Sequence, residues 1–450
     1  MTRRRIAVIG SGIAGLGAAY RLAPACEVTL FEAQDRLGGH ANTVDLTLPG
    51  PDGPVSHGVD TGFLVFNERT YPRLIALFTQ LGVDCAPSEM SFSVQAPRAN
   101  GDRLEWCGSS LNGVFADRSN LLRPRFHAML LDLLRFNRLA TALAERGADA
   151  QLAQPLQDFL AENRFGNAFR EDYLLPMIGC IWSCPTAQML RFPVGTLIRF
   201  CHNHGLLQVR ERPQWFTVRG GSRRYIERLA ACVGEVRLST PVLGVARDGS
   251  GAAVRTAHGS ERFDEVVFAT HAPQTLALLE DASVDERRVL GAVGYQDNEA
   301  VLHTDERLLP RRRSAWAAWN YERGTPAGAE DGAVCLHYLL NRLQPLPWQQ
   351  SVIVSLNPLH PPRPEAVLAR IRYAHPVFDN AAIAAQARLP ALQGRSHVWF
   401  CGAWTGYGFH EDGLKSGQQV ADHILAQRSA GPQAIAHAAR EDGASLREAA

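Results

Sequence analysis

The periods of apolar and polar positions divide the chain into stretches of different character. Ile6 to Ile9 is a short unbroken apolar run, and Val28 to Phe31 is a second. Such runs predict strands covered on both faces, as in a parallel sheet. Residues 44 to 62 predict β-structure interrupted by a Gly/Pro loop from Pro49 to Pro54. From Leu121 to Arg146 the period becomes helical. Phe126, Leu130, Leu133, Leu134 and Leu143 form an apolar stripe expected to face a core, with Arg135, Arg138, Glu145 and Arg146 on other positions. Leu156 to Leu175 predicts a further helical block, followed by an aromatic and proline-rich passage, 176 to 193. From Trp215 the pattern is strand, glycine turn and helix, then short strands at Val236 to Leu238, Val242 to Ala246 and Val254 to Thr256. Glu265 to Thr270 reads as a buried strand, and Val301 to Thr304, Val334 to Leu340 and Val352 to Leu356 suggest another sheet. Residues 429–450 lack a pattern and read as a flexible tail.

The first candidate chemistry lies between the first two apolar runs. Gly10, Gly12 and Gly15 stand at G-x-G-x-x-G spacing after a strand and at the start of a helix. In a dinucleotide-binding turn the first glycine makes the bend, the second admits a pyrophosphate, and the third lets helix and strand pack closely. Ile13 and Ala14 then open the helix, whose N–H groups and positive dipole end suit phosphate. Glu32 closes the second strand at the position expected for an acid that bonds a ribose hydroxyl. Ala33, Arg36, Gly38, Gly39 and His40 extend the site with a cation and two more glycines. A nicotinamide site has no general need of that extension.

Composition narrows the class. With 450 residues, 46% hydrophobic, 20% charged and a net charge of +1, the chain suits two or three globular domains and offers no case for nucleic acid. No stretch approaches the roughly 18 uncharged apolar residues of a spanning helix. Arg3, Arg4 and Arg5 precede a strand that an export signal would sacrifice, so they read as a solvated lead-in. Nine scattered cysteines without a C-x-x-C fit a reducing cytoplasm. Cys180, Cys184, Cys201, His202 and His204 match no zinc spacing, and no metal is expected. Lys415 is the sole lysine.

Near the C-terminus, FCGAWTGYGFHEDGLKSG from Phe400 predicts a strand, a glycine-rich loop and a helix, placing Gly402, Ala403, Gly413 and Leu414 at a second helix N-terminus. With the RLGGHANTV run from Arg36, DTGFLVFN from Asp60, NHGLL from Asn203, RPQWFTV from Arg212, WNY from Trp319 and NRLQPLP from Asn341, the chain resembles the flavin-containing amine-oxidase superfamily of glutathione-reductase-like FAD proteins. It most resembles a subgroup of predicted NAD/FAD-binding proteins associated with cyclopropane-fatty-acid-synthase-like methyltransferases. The resemblance implies an α/β fold. A Rossmann-like FAD domain of the GR2 type (1–65, 213–284 and 391–428) would carry an inserted α+β substrate domain (66–212 and 285–390).

It also implies non-covalent FAD running from Glu32 to the helix at Gly413. Asp60, Thr61, Gly62 and Phe63 would return the chain to the flavin. Val242 would lie by the adenine, and Ala269 and Thr270 would form a turn against the cofactor. His40 stands where such proteins usually carry arginine.

The resembled subgroup implies hydride removal from an unsaturated, methyl-branched fatty-acyl chain, with furan fatty acids as the metabolic setting. Amine oxidases of this fold typically set a substrate-domain lysine against flavin N5, and here that domain has none. A flavin-dependent fatty-acid isomerase, an amine oxidase and a non-catalytic accessory protein remain alternatives. His410, Tyr407 and His204 are the candidate catalytic groups, with His202, His337 and Tyr338 as further polar candidates. A fatty-acyl or phospholipid substrate, a methyltransferase partner and peripheral contact with the inner membrane face are expected. Arg123, Arg125 and Arg311 to Arg313 are the basic clusters for that contact.

Overall fold

The computed structural model describes residues 3–98, 101–147, 154–182, 189–208, 212–324 and 334–429, so the expected tail and Cys184 lie outside the described residues except for residue 429. Two structural units emerge. The first comprises the described parts of Met1–Gly39, Ile226–Ala292 and Ala385–Ala450, and the second comprises His40–Tyr225 and Val293–Ala384.

In the first unit five strands form a wholly parallel sheet, ordered Glu235–Arg237, Glu27–Phe31, Arg5–Ile9, Glu265–Phe268 and Val398–Phe400. The strand order turns around at Arg5–Ile9, which makes the carboxyl end of that strand a topological switch point. Ile6, Ala7, Val8, Val266 and Val267 are fully buried, as a sheet covered on both faces requires. An antiparallel sheet of Val242–Asp248, Gly251–Thr256 and Gly259–Phe263 adjoins it in sequence.

The second unit is built on a seven-stranded sheet. Its order is Val367–Val377, Gly294–His303, Ile353–Leu356, Cys335–Leu339, Trp319–Glu322, Phe92–Pro97 and Arg103–Cys107. A smaller sheet joins Phe66–Asn67, Trp215–Val218 and Cys85–Ser88. Thr43–Gly50 and Gly53–Asp60 form a two-stranded ribbon. Its ladder continues through Pro49 opposite Pro54 and Gly50 opposite Gly53, where the sequence suggested a loop. A two-stranded ribbon tolerates proline because each strand has a free edge.

The unit boundaries differ from those expected. Residues 40–65 and 213–225 belong to the second unit. Asp60 accepts there from Ser222 and exchanges bonds with Gln344, and Trp215–Val218 pairs with Cys85–Ser88. Residues 285–292 and 385–390 belong to the first, through the Arg247–Glu286 ion pair and the bonds of Gln386 to the C-terminal loop.

The long helix runs Pro124–Arg146, with proline in its first turn. Leu121 and Leu122 fall in the preceding 3₁₀ turn, Arg118–Leu122. Its buried face is Phe126, Met129, Phe136, Asn137, Ala140 and Leu143, rotated from the predicted stripe, and Leu134 is half exposed. An aromatic cluster of Phe136, Phe159, Phe165 and Phe169 sets that rotation. Among the described residues no helix is long and apolar enough to cross a membrane.

Candidate cofactor cradle and active site

At the switch point the chain leaves Ile9 through Gly10, whose φ of +100° lies in the region that favours glycine and whose N–H donates to the Phe31 carbonyl at 2.8 Å. A Cβ on Gly15 would lie 1.9 Å from the Gly10 carbonyl oxygen, so helix Ile13–Leu22 packs on the strand as the motif requires. Gly12 differs from both. Its φ of −61° suits any residue, and a Cβ there would meet no protein atom within 4 Å. Neither backbone conformation nor internal packing needs glycine at 12; the open space beside it does. No acidic residue stands in the helix's first turn, which leaves its N–H end available to an anion.

Glu32 is anchored beside this turn. One carboxylate oxygen accepts from the Ser11 N–H at 3.0 Å and hydroxyl at 2.5 Å, and the other accepts from the Gln34 N–H at 2.9 Å. The Thr240 N–H bonds the Glu32 carbonyl at 2.8 Å, which brings the segment leading into Val242 alongside. Gly38 bridges to Gly12 and donates to the Ser11 carbonyl at 3.1 Å, while Arg36 donates to the Gly39 carbonyl at 3.0 Å and closes the 36–39 turn. Ala269 donates to the Ile9 carbonyl at 2.8 Å, and the Thr270 hydroxyl pairs with that of Thr275.

The second glycine loop is held by residues that sequence patterns did not single out. Gln386 donates to the carbonyls of Trp404 (2.8 Å) and Gly406 (2.7 Å), and the Ser416 hydroxyl accepts from the Gly402 N–H at 2.9 Å. Helix His410–Ser429 packs backbone-close on Ile13–Leu22: a Cβ on Gly417 would lie 2.0 Å from the Ala14 carbonyl, and Leu414 is buried against Gly17. The helix start is not bare. Glu411 and Asp412 occupy its first turn, and the Asp412 carboxylate accepts from the Phe409 N–H at 2.9 Å. Burial pushes Asp412 up to about 6 against the pull of those backbone donors. The positive helix end expected from the motif is therefore offset by a carboxylate. Trp404 is buried, and its indole N–H, like those of Trp182 and Trp319, has no acceptor among the described residues.

In the second unit the Asp60 carboxylate accepts from the Thr43 hydroxyl (2.6 Å) and from the Ser222 N–H and hydroxyl (2.9 and 2.7 Å), while burial holds its pKa up at about 6. Its carboxylate is engaged within the protein, where it positions Thr61 and Gly62. The Tyr373 hydroxyl pairs with Thr61 (2.9 Å) and accepts from Asn42 (3.1 Å), and the Tyr373 ring stacks on His40 at 5.0 Å. A Cβ on Gly62 would meet the His40 carbonyl oxygen at 2.1 Å. Tyr373 lies more than 300 positions from its partners Asn42 and Thr61, so no local pattern announces it.

The expected catalytic groups fall in both units. His204, in the second, stacks on Phe200 at 3.9 Å and bonds its carbonyl through Nδ1 at 2.9 Å; burial lowers its pKa to about 4. His410, in the first, is lowered to about 3 by burial, and Tyr407 is 37% exposed. Both imidazoles are therefore neutral near pH 7.

His337 belongs to a buried chain across the large sheet. Its Nε2 bonds Glu322 at 3.1 Å, its Nδ1 meets the Ser355 hydroxyl at 2.6 Å, and that hydroxyl meets His303 Nε2 at 2.7 Å. The Asp305 N–H donates to His303 Nδ1, and Arg103 donates to the second Glu322 oxygen at 2.7 Å. Burial alone would lower His337, but Cys335 and Glu322 outweigh it and push it up to about 9. Glu322, Cys335 and His337 form the one described His/Cys/carboxylate group compact enough to hold an ion, and its charges are already balanced by Arg103 and by each other. Burial raises the thiols of Cys180 and Cys201, the latter to about 12, as in apolar surroundings.

Residues 13–329 match the model of the flavin containing amine oxidoreductase family. The chain belongs to that family. Its cofactor is FAD, and the chain is an FAD oxidoreductase of the amine-oxidase type. Solved structures agree on the fold. Cyclohexylamine oxidase from Brevibacterium oxydans IH-35A is similar at 18% identity and TM-score 0.67, over 95% of this chain and 100% of that one. A putative protoporphyrinogen oxidase from Exiguobacterium sp. 255-15 is similar at 19% identity and TM-score 0.64, over 95% and 100%. The CLA-producing fatty acid isomerase from P. acnes is similar at 17% identity and TM-score 0.63, over 94% and 98%. The open space at Gly12 and the buried indole N–H of Trp404, unpartnered among the described residues, fit such a cofactor, one at each glycine loop.

Proposed function

We propose that this flavoprotein oxidises an unsaturated, methyl-branched fatty-acyl chain, removing a hydride from an allylic carbon and a proton from a carbon next to the resulting delocalised cation, to give a diene. The observation that carries this reading is the lysine distribution. Family amine oxidases typically use a substrate-domain lysine, whereas the sole lysine here, Lys415, is exposed on helix His410–Ser429 of the first unit.

In this reading Gly12, Ile13, Ala14, Gly38 and Gly39 receive the pyrophosphate of FAD and Glu32 its ribose. Ala403, in the loop held by Gln386 and Ser416, presents its backbone N–H to the flavin end, while the Gly402 N–H is given to Ser416. Bound flavin supplies a two-electron acceptor. The protein holds the reacting carbon, excludes water and takes up one proton, with His410, Tyr407 and His204 as the candidate acceptors. FAD is held non-covalently, since residues 402–417 of the loop and helix start carry no cysteine and Cys401 before them is fully buried. Acid precipitation is expected to release free FAD, and flavin retained in the pellet would point to a link at His410. A cyclopropane-fatty-acid-synthase-like methyltransferase would supply the branched substrate, and the setting is cytoplasmic.

Anaerobic mixing with a methyl-branched monounsaturated lipid is expected to bleach the flavin and yield product about two mass units lighter, the hydride and proton removed. Bleaching by amines but not by lipids would overturn the reading. Likeness to a fatty acid isomerase favours a second one, in which the product keeps its mass.

A further inference from the structure

We propose that the 3₁₀ turn Arg118–Leu122 and the outer face of helix Pro124–Arg146 dock the protein on an anionic phospholipid bilayer. Leu122 is 89% exposed, Leu131 68%, Leu134 50% and Leu121 49%. One hydrogen bond and the helical period relate the turn to the helix. His127 Nε2 bonds the Leu121 carbonyl at 2.9 Å, which ties the turn to the helix face that begins at His127. Leu131, Leu134 and Arg138 follow at helical spacings of four, three and four, a stripe about 16 Å long. A soluble surface carries single exposed leucines routinely, but two on one helix face beside a tethered turn that exposes two more mark a contact.

Charge selects the partner. Residues 111–138 hold five arginines and two aspartates, a balance of +3 where the whole chain has +1. Asp117 is buried and already paired with Arg98 and Arg312 from outside the segment. Among the described residues Arg118 and Arg138 have no carboxylate partner, and Arg118 bonds only Asn112 and the Phe115 carbonyl. Exposed leucines flanked by arginines, whose planar forks suit phosphate, are the composition of a helix that lies in a lipid headgroup layer.

Most of the arginines that sequence alone brought forward are engaged with carboxylates, although Arg311 gives Glu105 only its backbone N–H. The backbone N–H groups of Arg311 and Arg312 cap the buried Glu105, Arg312 also pairs with it, Arg313 pairs with Glu306, and Arg125 pairs with Asp172. Arg123 lies 3.9 Å from Asp102 and bonds Ser119. The docking face is thus defined by leucines, and it does not depend on which substrate the flavin oxidises.

The test is co-sedimentation of the full-length, FAD-loaded protein with phosphatidylglycerol/phosphatidylethanolamine vesicles and with phosphatidylcholine vesicles, at low and high salt. Binding to the anionic vesicles is expected, falling as salt rises. Leu122→Glu with Leu131→Glu is expected to weaken it roughly tenfold or more. Arg118→Gln with Arg138→Gln is expected to weaken it less, mainly at low salt. Flavin spectrum and melting temperature verify folding, and if the glutamate pair misfolds, the glutamine pair together with Leu122→Ala decides. Absence of wild-type binding, or binding indifferent to these changes, would overturn the proposal. So would light scattering that shows a dimer split by the leucine substitutions without any vesicle binding, since the face would then join two copies of this chain.

Discussion

The glycine cradle of the first unit and the buried polar chain of the second are built on opposite principles. In the cradle, backbone does the work: Gly10 and Gly38 spend their N–H groups closing the turns, Gly15 admits the helix, and Gly12 leaves open space at the helix's N–H end, all from residues close in sequence. In the polar chain, side chains from five strands meet: Arg103, Glu322, His337, Ser355 and His303 link positions scattered over some 250 residues. The first is sensitive to one added carbon and the second to one lost charge. A site for a phosphate-rich group needs donors and room, whereas a buried ionic chain needs every partner present.

The comparison is tested most severely within the cradle. Gly15→Ala, with its Cβ 1.9 Å from a carbonyl oxygen, is expected to cost about 4 kcal/mol or more and to yield little folded protein. Gly12→Ala should leave the melting temperature of the FAD-free protein nearly unchanged while retention of FAD falls sharply. If both substitutions destabilise the FAD-free fold alike, the space at Gly12 has no special role.

In the polar chain, Glu322→Ala leaves Arg103 and His337 without their common partner and is expected to cost about 3–5 kcal/mol, read from denaturant unfolding. The same chain gives a pH signature. The folded state raises His337 from 6.5 to about 9, so its stabilisation is complete below about pH 6.5 and is lost as pH rises through 9. Asp60 and Asp412, both raised to about 6, have already titrated before that window opens. Unfolding free energy is expected to fall by about 1–3 kcal/mol between these limits. Glu322→Gln removes the charge that favours imidazolium and should flatten the slope; an unchanged slope would mean that another group titrates there.

The smallest effect concerns a side chain within the cradle. Glu32→Ala is expected to weaken FAD retention by about 1–3 kcal/mol, the scale of a hydrogen bond to a charged group, as measured by equilibrium dialysis. Stability of the FAD-free protein should change less than for Glu322→Ala, because Glu32 is partly exposed and Ser11 and Gln34 can turn to water. Equal losses at the two positions would erase the distinction between the regions.

Local sequence determined the parts whose physics is local. The run from Ile6 to Glu32 predicts strand, turn, helix and strand because hydrophobic period, glycine spacing and a terminal acid all act within one supersecondary unit. The C-terminal glycine loop was legible for the same reason, as was FAD through its family motifs. Tertiary structure decided what depends on distant partners. Asp60 reads as a ligand group until Ser222 and Thr43 occupy its carboxylate. Arg312 and Arg313 read as part of a basic patch until Glu105 and Glu306 pair with them. Leu134 reads as core until the aromatic cluster at Phe136 turns the helix. A sequence states which groups a chain carries, but whether a charge is neutralised or a leucine covered depends on elements tens or hundreds of residues away, whose arrival no local period encodes.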